Sequence, residues 1–494
     1  MVTGNARKLK EDVPQIVAPA DLPEEELRWC PVSLNEVFER GMRLEASVFD
    51  VEGKHAREVL NKCRWPVASL CGDTGLATAY HRPRFRRIWV DETGIPIYQP
   101  SQILDLNPKP SGYLSDITDT DIDALIVKKG QVLLTCSGTI GLCTVVADTF
   151  DNRVFSHDLI RITANDDADT GYIYAFMKTK VGGALIRTNE YGAVISHIEP
   201  EHLASVPIPS PPKVIRKRVN ELVARSFALR DESNELLAQA EKLLYDELQL
   251  LPLNKLRPSY FDKSADLRNF TVKLSNLSGR VDGSYHVPIV DSIMKCLRKN
   301  AAELTDIGDA RISKEIRLPG RFTRIYVQEG QGAVYFTGKR ILELDPADKK
   351  YLAFARHEKR IKEQLEIKQN MLLVTSSGTL GKVVLVPKHW EGWTMTHDII
   401  RIIPVSEKIA GFVSVFLISE YGEELMKRFT YGSVVDHIEA EHIIDVPVPL
   451  LKSSSTQAAI NDYALEANEK RTEAYNLEQE AIRIVDDDVI HAVR

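Results

Sequence analysis

Two short polar segments carry residue types that could do chemistry. "TCSGTIG" from Thr135 and "TSSGTLG" from Thr375 set hydroxyls around glycines. Backbone N–H groups and hydroxyls in such a turn can hold a phosphate. The same glycines can equally serve a tight hairpin that needs positive φ. Both readings stand for Thr135, Ser137, Gly138 and Thr139, and for Thr375, Ser377, Gly378 and Thr379. Basic clusters give a second signal. Arg82, Arg84, Arg86 and Arg87 fall within six residues, beside Phe85 and Trp89. Arg311, Lys314, Arg317, Arg321 and Arg324 form a looser set with Phe322 and Tyr326. Arginines so placed could grip phosphates or reach guanine edges, or form a solvated charged face. Each cluster is followed by a segment read as a loop: Tyr98, Gln99 and Ser101 in one, Tyr335, Thr337, Lys339 and Arg340 in the other. Their similar frames and different polar tips suit two readers of different sequences.

Catalytic patterns are weaker. "HIEPEH" and "HIEAEH" resemble a zinc motif, but His197 and His202, like His437 and His442, are five residues apart. On a helix that is a rotation of about 140°, so the pair leaves one face. Structural histidines are expected and no metal is assigned. "SHD" at Ser156 and "THD" at Thr396 contain triad residue types. Consecutive strand residues point to opposite faces, so no hydrogen-bonded relay is expected. There is no GxxxxGKS loop, no GxSxG elbow and no NPPY-type motif of an adenine methyltransferase. The six cysteines show no CxxC spacing and are read as reduced structural thiols. Paired carboxylates that recur are confined to Glu199/Glu201 and Glu439/Glu441. No catalytic residue is assigned.

The glycine turns, basic segments, "SHD"/"THD" and "HIExEH" motifs all occur twice, whereas Cys136 and Cys143 become Ser376 and Val383. From Thr135 to Pro209 the second copy follows at an offset of 240 without net insertion. "HDLIRI" at His157 meets "HDIIRI" at His397, and "VPIP" at Val206 meets "VPVP" at Val446. Upstream the offset is 237, matching "RFRRIWV" at Arg84 with "RFTRIYV" at Arg321. Each repeat is of domain size, so a solenoid of small units is excluded. The elements within a repeat mix strand–Gly turn–strand, short buried strands such as "DLIRIT", and apolar segments of helical spacing. The fold class is therefore α+β, a small β-sheet with packed helices in each of two heads. The chain has 494 residues, 44% hydrophobic and 27% charged, as in ordinary globular proteins. No apolar run is long enough for a membrane span. The first fifteen residues lack the apolar core of a secretion signal, and a cytoplasmic location is expected. The net charge of −7 argues against a protein that coats nucleic acid, though affinity follows the local face and not the total.

A long helix is expected after each repeat. Ile215, Leu222, Leu229, Leu236 and Leu243 step by seven, beside a stripe of Val219, Ser226, Ser233 and Ala240. The C-terminal segment matches at an offset of 241, with Ile460, Ala467, Ala474 and Ala481 in one stripe and Leu477 and Ile484 in the other. Heptad steps predict a coiled-coil seam. The preferred reading packs the helices on each other, as a rod of roughly 50 Å holding the heads apart. Each helix lying on its own head is the alternative. The boundaries are an extension over 1–42, heads over 43–212 and 280–450, helices over 213–250 and 451–494, and a connection over 251–279.

In this order, the motifs resemble the specificity (S) subunit of type I restriction–modification systems. They are "TxSGTxG" at Thr135 and Thr375, "HDxIRI" at His157 and His397, "GxVxxHIExEH" at Gly192 and Gly432, the "VPxP" exits and the paired heptad helices. The resemblance covers the chain from about Arg43. It implies two target-recognition domains, each reading one half of a split site in double-stranded DNA, joined by antiparallel coiled-coil helices that set the gap. It implies no catalytic activity in this chain and no cofactor bound by it. The partners would be two methyltransferase subunits carrying S-adenosylmethionine and, in the full complex, two motor-nuclease subunits. The 1–42 extension is not duplicated and has no implied role. A tandem scaffold whose heads bind protein is the alternative, and would expose apolar patches in place of arginines.

Overall fold

The computed structural model describes residues 31–192, 195–256, 270–277, 279–432 and 435–492. Residues 1–30 of the extension, 257–269 and 278 of the connection, 193–194 and 433–434 inside the repeated motif, and 493–494 lie outside the described residues.

Strand–turn–strand patterning becomes antiparallel pairing at the repeated glycine turns. Val132–Thr135 pairs with Cys143–Val145, and Leu372–Thr375 with Val383–Leu385. The "HDxIRI" strands, Leu159–Ala164 and Ile399–Pro404, pair on the other side. Ala77–Tyr80 and Ser313–Arg317 complete a four-stranded antiparallel sheet in each head. A second four-stranded sheet in head 1 runs Trp89–Val90, Gly112–Leu114, Ile95–Tyr98, Val154–Phe155. Head 2 repeats it with Tyr326–Val327, Lys350–Ala353, Gly332–Phe336 and Thr394–Met395. A two-stranded ribbon closes each head, from Val67–Ser69 with Pro207–Pro209 and from Glu303–Asp306 with Pro447–Leu450. The fold is α+β, and the two heads share one topology.

Each apolar helical segment is broken once. Thr170–Lys178 gives way to Lys180–Arg187, and Glu407–Ile418 to Glu420–Lys427. Thr179 Oγ1 accepts from Gly182 N at 3.0 Å, which starts the second helix with its own cap. A Cβ on Gly182 would sit 2.1 Å from the Phe176 carbonyl oxygen, so the tight corner needs glycine.

The long helices are Lys213–Glu247 and Ser454–Arg483, here called central and C-terminal. They run antiparallel. Arg218 meets Glu480, Ser226 meets Ala474, Glu232 meets Lys470, and Glu247 meets Ser453. Val219, Ser226, Ser233 and Ala240 are fully buried, as are Ile460, Ala467, Ala474 and Ala481. The narrow stripe is thus the seam, because small side chains let two backbones approach. Leu222 and Leu229 are buried beside it, whereas Ile215, Leu236, Leu243, Leu477 and Ile484 are only half-buried at its margins. Each helix begins on one head and ends in the core of the other. Ala481, Val485 and Val489 join the head 1 core, and Ala240, Leu244 and Leu248 join the head 2 core.

The expectation of heads held apart is corrected. Leu106 N donates to Leu342 O at 3.0 Å, and Asp105 and Glu343 form an antiparallel bridge between heads. Lys109 Nζ lies 3.0 Å from Glu423 of the other head. Helix length fixes the rod, but loops from both heads reach back along it and meet near its middle, where Leu229 and Ala474 pack with Leu344 and Leu106.

Candidate nucleic-acid interface

In head 1 the basic segment runs between the strands Ala77–Tyr80 and Trp89–Val90. Arg84 and Arg86 are exposed. Arg82 lies over the Tyr80 ring at 4.8 Å, and Arg87 over Phe85 at 5.9 Å. Arg87 Nη2 donates to Ser156 Oγ at 2.8 Å and stands 3.9 Å from Asp158. The Phe85 ring meets His157 edge-on at 5.5 Å. The fold thus brings the arginine cluster onto the "SHD" segment, a juxtaposition that spacing did not reveal. His157, with Arg87 and Arg84 behind it, holds the Asp158 carboxyl below its ordinary range.

The "SHD" and "THD" residues lie between strands, not within one, so alternation does not apply to them. In head 2, Thr396 Oγ1 is 3.4 Å from His397 Nδ1, and His397 Nε2 is 3.2 Å from Asp398. Consecutive residues therefore do touch in a chain, contrary to the expectation. Head 1 breaks it: Ser156 serves Arg87, and His157 Nδ1 is buried without a partner. Burial pushes the His397 imidazole down, and the nearby Arg324 and Arg321 push it the same way.

The repeated glycine turn is stapled from inside. Thr135 Oγ1 accepts from Leu142 N at 3.0 Å and donates to Thr139 O at 2.6 Å. Thr375 repeats both bonds with Lys382 N and Thr379 O. These two hydroxyls are buried and engaged. Gly138 and Gly378 both have φ +70°, and a Cβ there would meet nothing, so backbone conformation alone requires glycine. Gly138 N is used by Ser196 O and Gly141 N by Thr135 O. The hairpin role is thereby accounted for, and Thr139 and Thr379 are exposed on the turn. Ser137 Oγ bonds to His197 Nδ1 at 2.9 Å, tying the "HIExEH" segment to the turn. His202 and His442 accept from Glu199 N and Glu439 N at 3.0 Å, a capping role.

Head 2 gathers its candidates in a cleft of about 520 Å³. Arg324, Thr337, Lys339, Thr375, Ser377, Gly378 and Thr379 line it, joined by Lys382, Thr396 and Asp398. Ser101, Gln102 and Asp105 of head 1 close one side. Lys382 and Asp398 were missed; Lys382 directly follows the turn, where the first copy has Leu142. Gln99 is half-buried at the start of the head 1 segment, where its N–H donates to Gln102 Oε1 at 3.0 Å. Arg317 and Arg321 lie outside this cleft. Arg317 donates to the Glu363 carbonyl, and Arg321 is exposed.

Three candidates are withdrawn into the protein. Tyr98 is 7% exposed and Tyr335 1%, and both belong to strands, not loops. Arg340, 3% exposed, is held by Glu343 at 2.7 Å and by Asp348 at 3.0 Å. A related pair was overlooked. Arg161 and Arg401 of "HDxIRI" are fully buried and donate only to carbonyls: Leu159, Leu125 and Phe155 for one, Ile399, Leu365, Met395 and Thr396 for the other. Burial pushes Arg161 down to about 10 and Arg401 to about 9. They pin the two sheets of each head together.

Among the described residues no three His, Cys, Asp or Glu side chains converge as a metal site, and no helix is long and apolar enough to cross a membrane. No family model matches the chain, and no curated protein does. Solved structures resemble it along most of its length. A type I restriction–modification system S subunit from M. genitalium is 13% identical, with 87% of this chain and 96% of that one covered and a TM-score of 0.30. An HsdS subunit from Thermoanaerobacter tengcongensis is 14% identical over 85% and 99%, with a TM-score of 0.25. A chain described in terms of complex assembly and conformational transition of the type I R-M system is 15% identical over 85% and 97%, with a TM-score of 0.27.

Proposed function

We propose that this chain is a non-catalytic DNA-specificity subunit of a type I restriction–modification complex. Each head reads one half of a bipartite duplex site, and the paired helices carry the heads and dock the methyltransferase subunits. S-adenosylmethionine belongs to those partners and not to this chain. The observation that carries the reading is the duplication of one polar constellation on an antiparallel rod. Both heads carry an arginine-bearing segment, an "SHD" or "THD" segment and a glycine turn; Arg87 meets Ser156 in head 1, and Arg324, Thr396 and the turn share one cleft in head 2, while the side chains around them differ. A two-fold frame with divergent tips suits a duplex that is itself two-fold and carries unlike half-sites.

Co-expression with the neighbouring modification gene, followed by mapping of N6-methyladenine across the genome, tests it. The expected outcome is one new split motif with a fixed gap. Co-purification without any motif would count against DNA readout. The scaffold reading has one observation of its own, the exposed apolar Leu34, Phe38 and Met42 near the chain start. Salt separates the two: DNA binding through phosphates weakens steeply as salt rises, and a protein-binding scaffold shows no such DNA term.

A further inference from the structure

The molecule's approximate two-fold carries a residue of head 1 onto the one 240 later, and a residue of the central helix onto the one 241 later. The match holds in detail at the head–helix joints. Asn220 Oδ1 accepts from Gly171 N at 2.7 Å, and Asn461 Oδ1 accepts from Gly411 N at 2.9 Å. It fails three turns further on. Near head 1, Arg230 stacks on Phe227 at 4.1 Å and lies 2.6 Å from Glu478. The Tyr174 hydroxyl donates to Glu478, and Lys178 stands 3.8 Å away.

Near head 2 the two-fold places Arg471 at the position of Arg230, Leu237 at that of Glu478, Ser414 at that of Tyr174, Ile418 at that of Lys178 and Asn468 at that of Phe227. The cation is kept and its carboxylate is replaced by a leucine. Arg471 Nε donates to Ser233 Oγ at 3.3 Å, and among the described residues Arg471 makes no ion pair. Asn468, one turn before it, is 5% exposed; its Nδ2 donates to Val386 O at 3.0 Å and its Oδ1 is buried without a partner. All five mates except the Ile418 and Leu237 aliphatics are polar, and all five line one cavity of about 1000 Å³ between the heads and the two helices. Burial pushes the Arg471 guanidinium down to about 10, with no neighbouring charge opposing it. Four carboxylates line the cavity, Glu92, Glu241, Glu343 and Glu420, and none of them forms an ion pair with Arg471. Glu343 is held by Arg340 at 2.7 Å, and Glu241 has Lys109 and Glu420 as its charged neighbours.

We infer that Arg471 and Asn468 form a binding site for a small oxyanion, a phosphate or a hydroxy-carboxylate. The anion pairs with Arg471 as Glu478 pairs with Arg230. Its O–H donates to Asn468 Oδ1, the acceptor left over, once that oxygen, buried in the unliganded chain, turns toward the cavity. Such a ligand would touch the rod and stand between the two heads, and the site exists whether or not the heads bind DNA.

Thermal melts of the full chain test this, with inorganic phosphate and separately glycolate at about 10 mM against chloride of equal ionic strength. The wild type is expected to rise by about 2 °C or more with one of the two, which also identifies the source. Arg471→Met is expected to abolish the rise. Leu237→Glu supplies the missing carboxylate in the chain, and is expected to abolish the rise while the protein remains folded. No rise in the wild type with either anion would overturn the proposal. So would an equal rise in the variants, which would mark a general salt effect. If Arg471→Met does not fold, the Leu237→Glu comparison decides alone.

Discussion

Arg230 of the central helix lies 2.6 Å from Glu478 of the C-terminal helix, and that contact leaves Glu478 2% exposed. Burial works against the charged carboxyl, yet Arg230 and Lys178 outweigh it and hold Glu478 below its ordinary range. A buried pair of this kind works best in one register. Sliding either helix by a residue would leave both charges uncompensated.

Glu478→Gln is therefore expected to lower stability by about 3 kcal/mol, read from the urea midpoint. The double variant Arg230→Leu/Glu478→Leu is expected to recover most of that loss, because it removes both charges together. A double variant as unstable as the single one would show that packing, not charge, is what Glu478 supplies.

Arg84 and Arg86 are exposed and Arg340 is not, which separates two kinds of arginine. Replacing Arg84 and Arg86 by alanine is expected to leave the melting temperature unchanged. DNA affinity of the assembled complex should fall, and the slope of log affinity against log salt should flatten by about one for each phosphate no longer gripped. Arg340→Ala is expected to cost stability instead, by about 3 kcal/mol, since it strands the buried Glu343. Anisotropy titrations at several salt concentrations and melts of each variant check both.

Gly378 sits at φ +70° with open space where a Cβ would go. Gly378→Ala is expected to cost about 1 kcal/mol through backbone strain alone. Gly320 also has open space, with no positive φ, and Gly320→Ala is expected to be neutral or slightly stabilising. Chemical denaturation of the two variants isolates the strain, since neither added Cβ meets a neighbour.

His389 ties head 2 to the C-terminal helix. Its ring stacks on Tyr475 at 4.4 Å, and its Nε2 lies 2.9 Å from Leu344 O. Burial pushes it down to about 4. The folded protein thus binds this proton less readily than the unfolded chain. Its contribution is intact above about pH 6.5 and is lost as pH falls toward 4, on the order of 2 kcal/mol. His389→Phe is expected to flatten that part of the stability–pH curve.

The repeat, the strand–turn–strand pairing and the packing of one long helix on the other were legible because each rests on a periodicity, and periodicity survives side-chain change; the antiparallel sense came only with the resemblance. The seam was legible in part: both stripes stood out, but heptad spacing does not say that the small one lies at the centre. Tyr98 and Tyr335 show where spacing fails. In the structure Tyr98 pairs with Phe155 and Tyr335 with Thr394, so the mate of Tyr98 is Phe336 and that of Tyr335 is Ile97. Aligning the two tyrosines slips the strand by one residue, which turns every side chain to the opposite face. Arg161 and Arg401 were hidden for another reason. A buried arginine satisfied by carbonyls has no partner residue in sequence to betray it.

The backbone bond from Leu106 N to Leu342 O has a consequence for descent. Heads built on a duplicated frame are of a size and topology that could be exchanged one for another. Here the first head also supplies part of its neighbour's surroundings, since its Ser101, Gln102 and Asp105 close the cleft of the second. A newly acquired head would meet a foreign edge loop. A change of one head therefore also asks for a matching surface around residues 101–106 and 338–344.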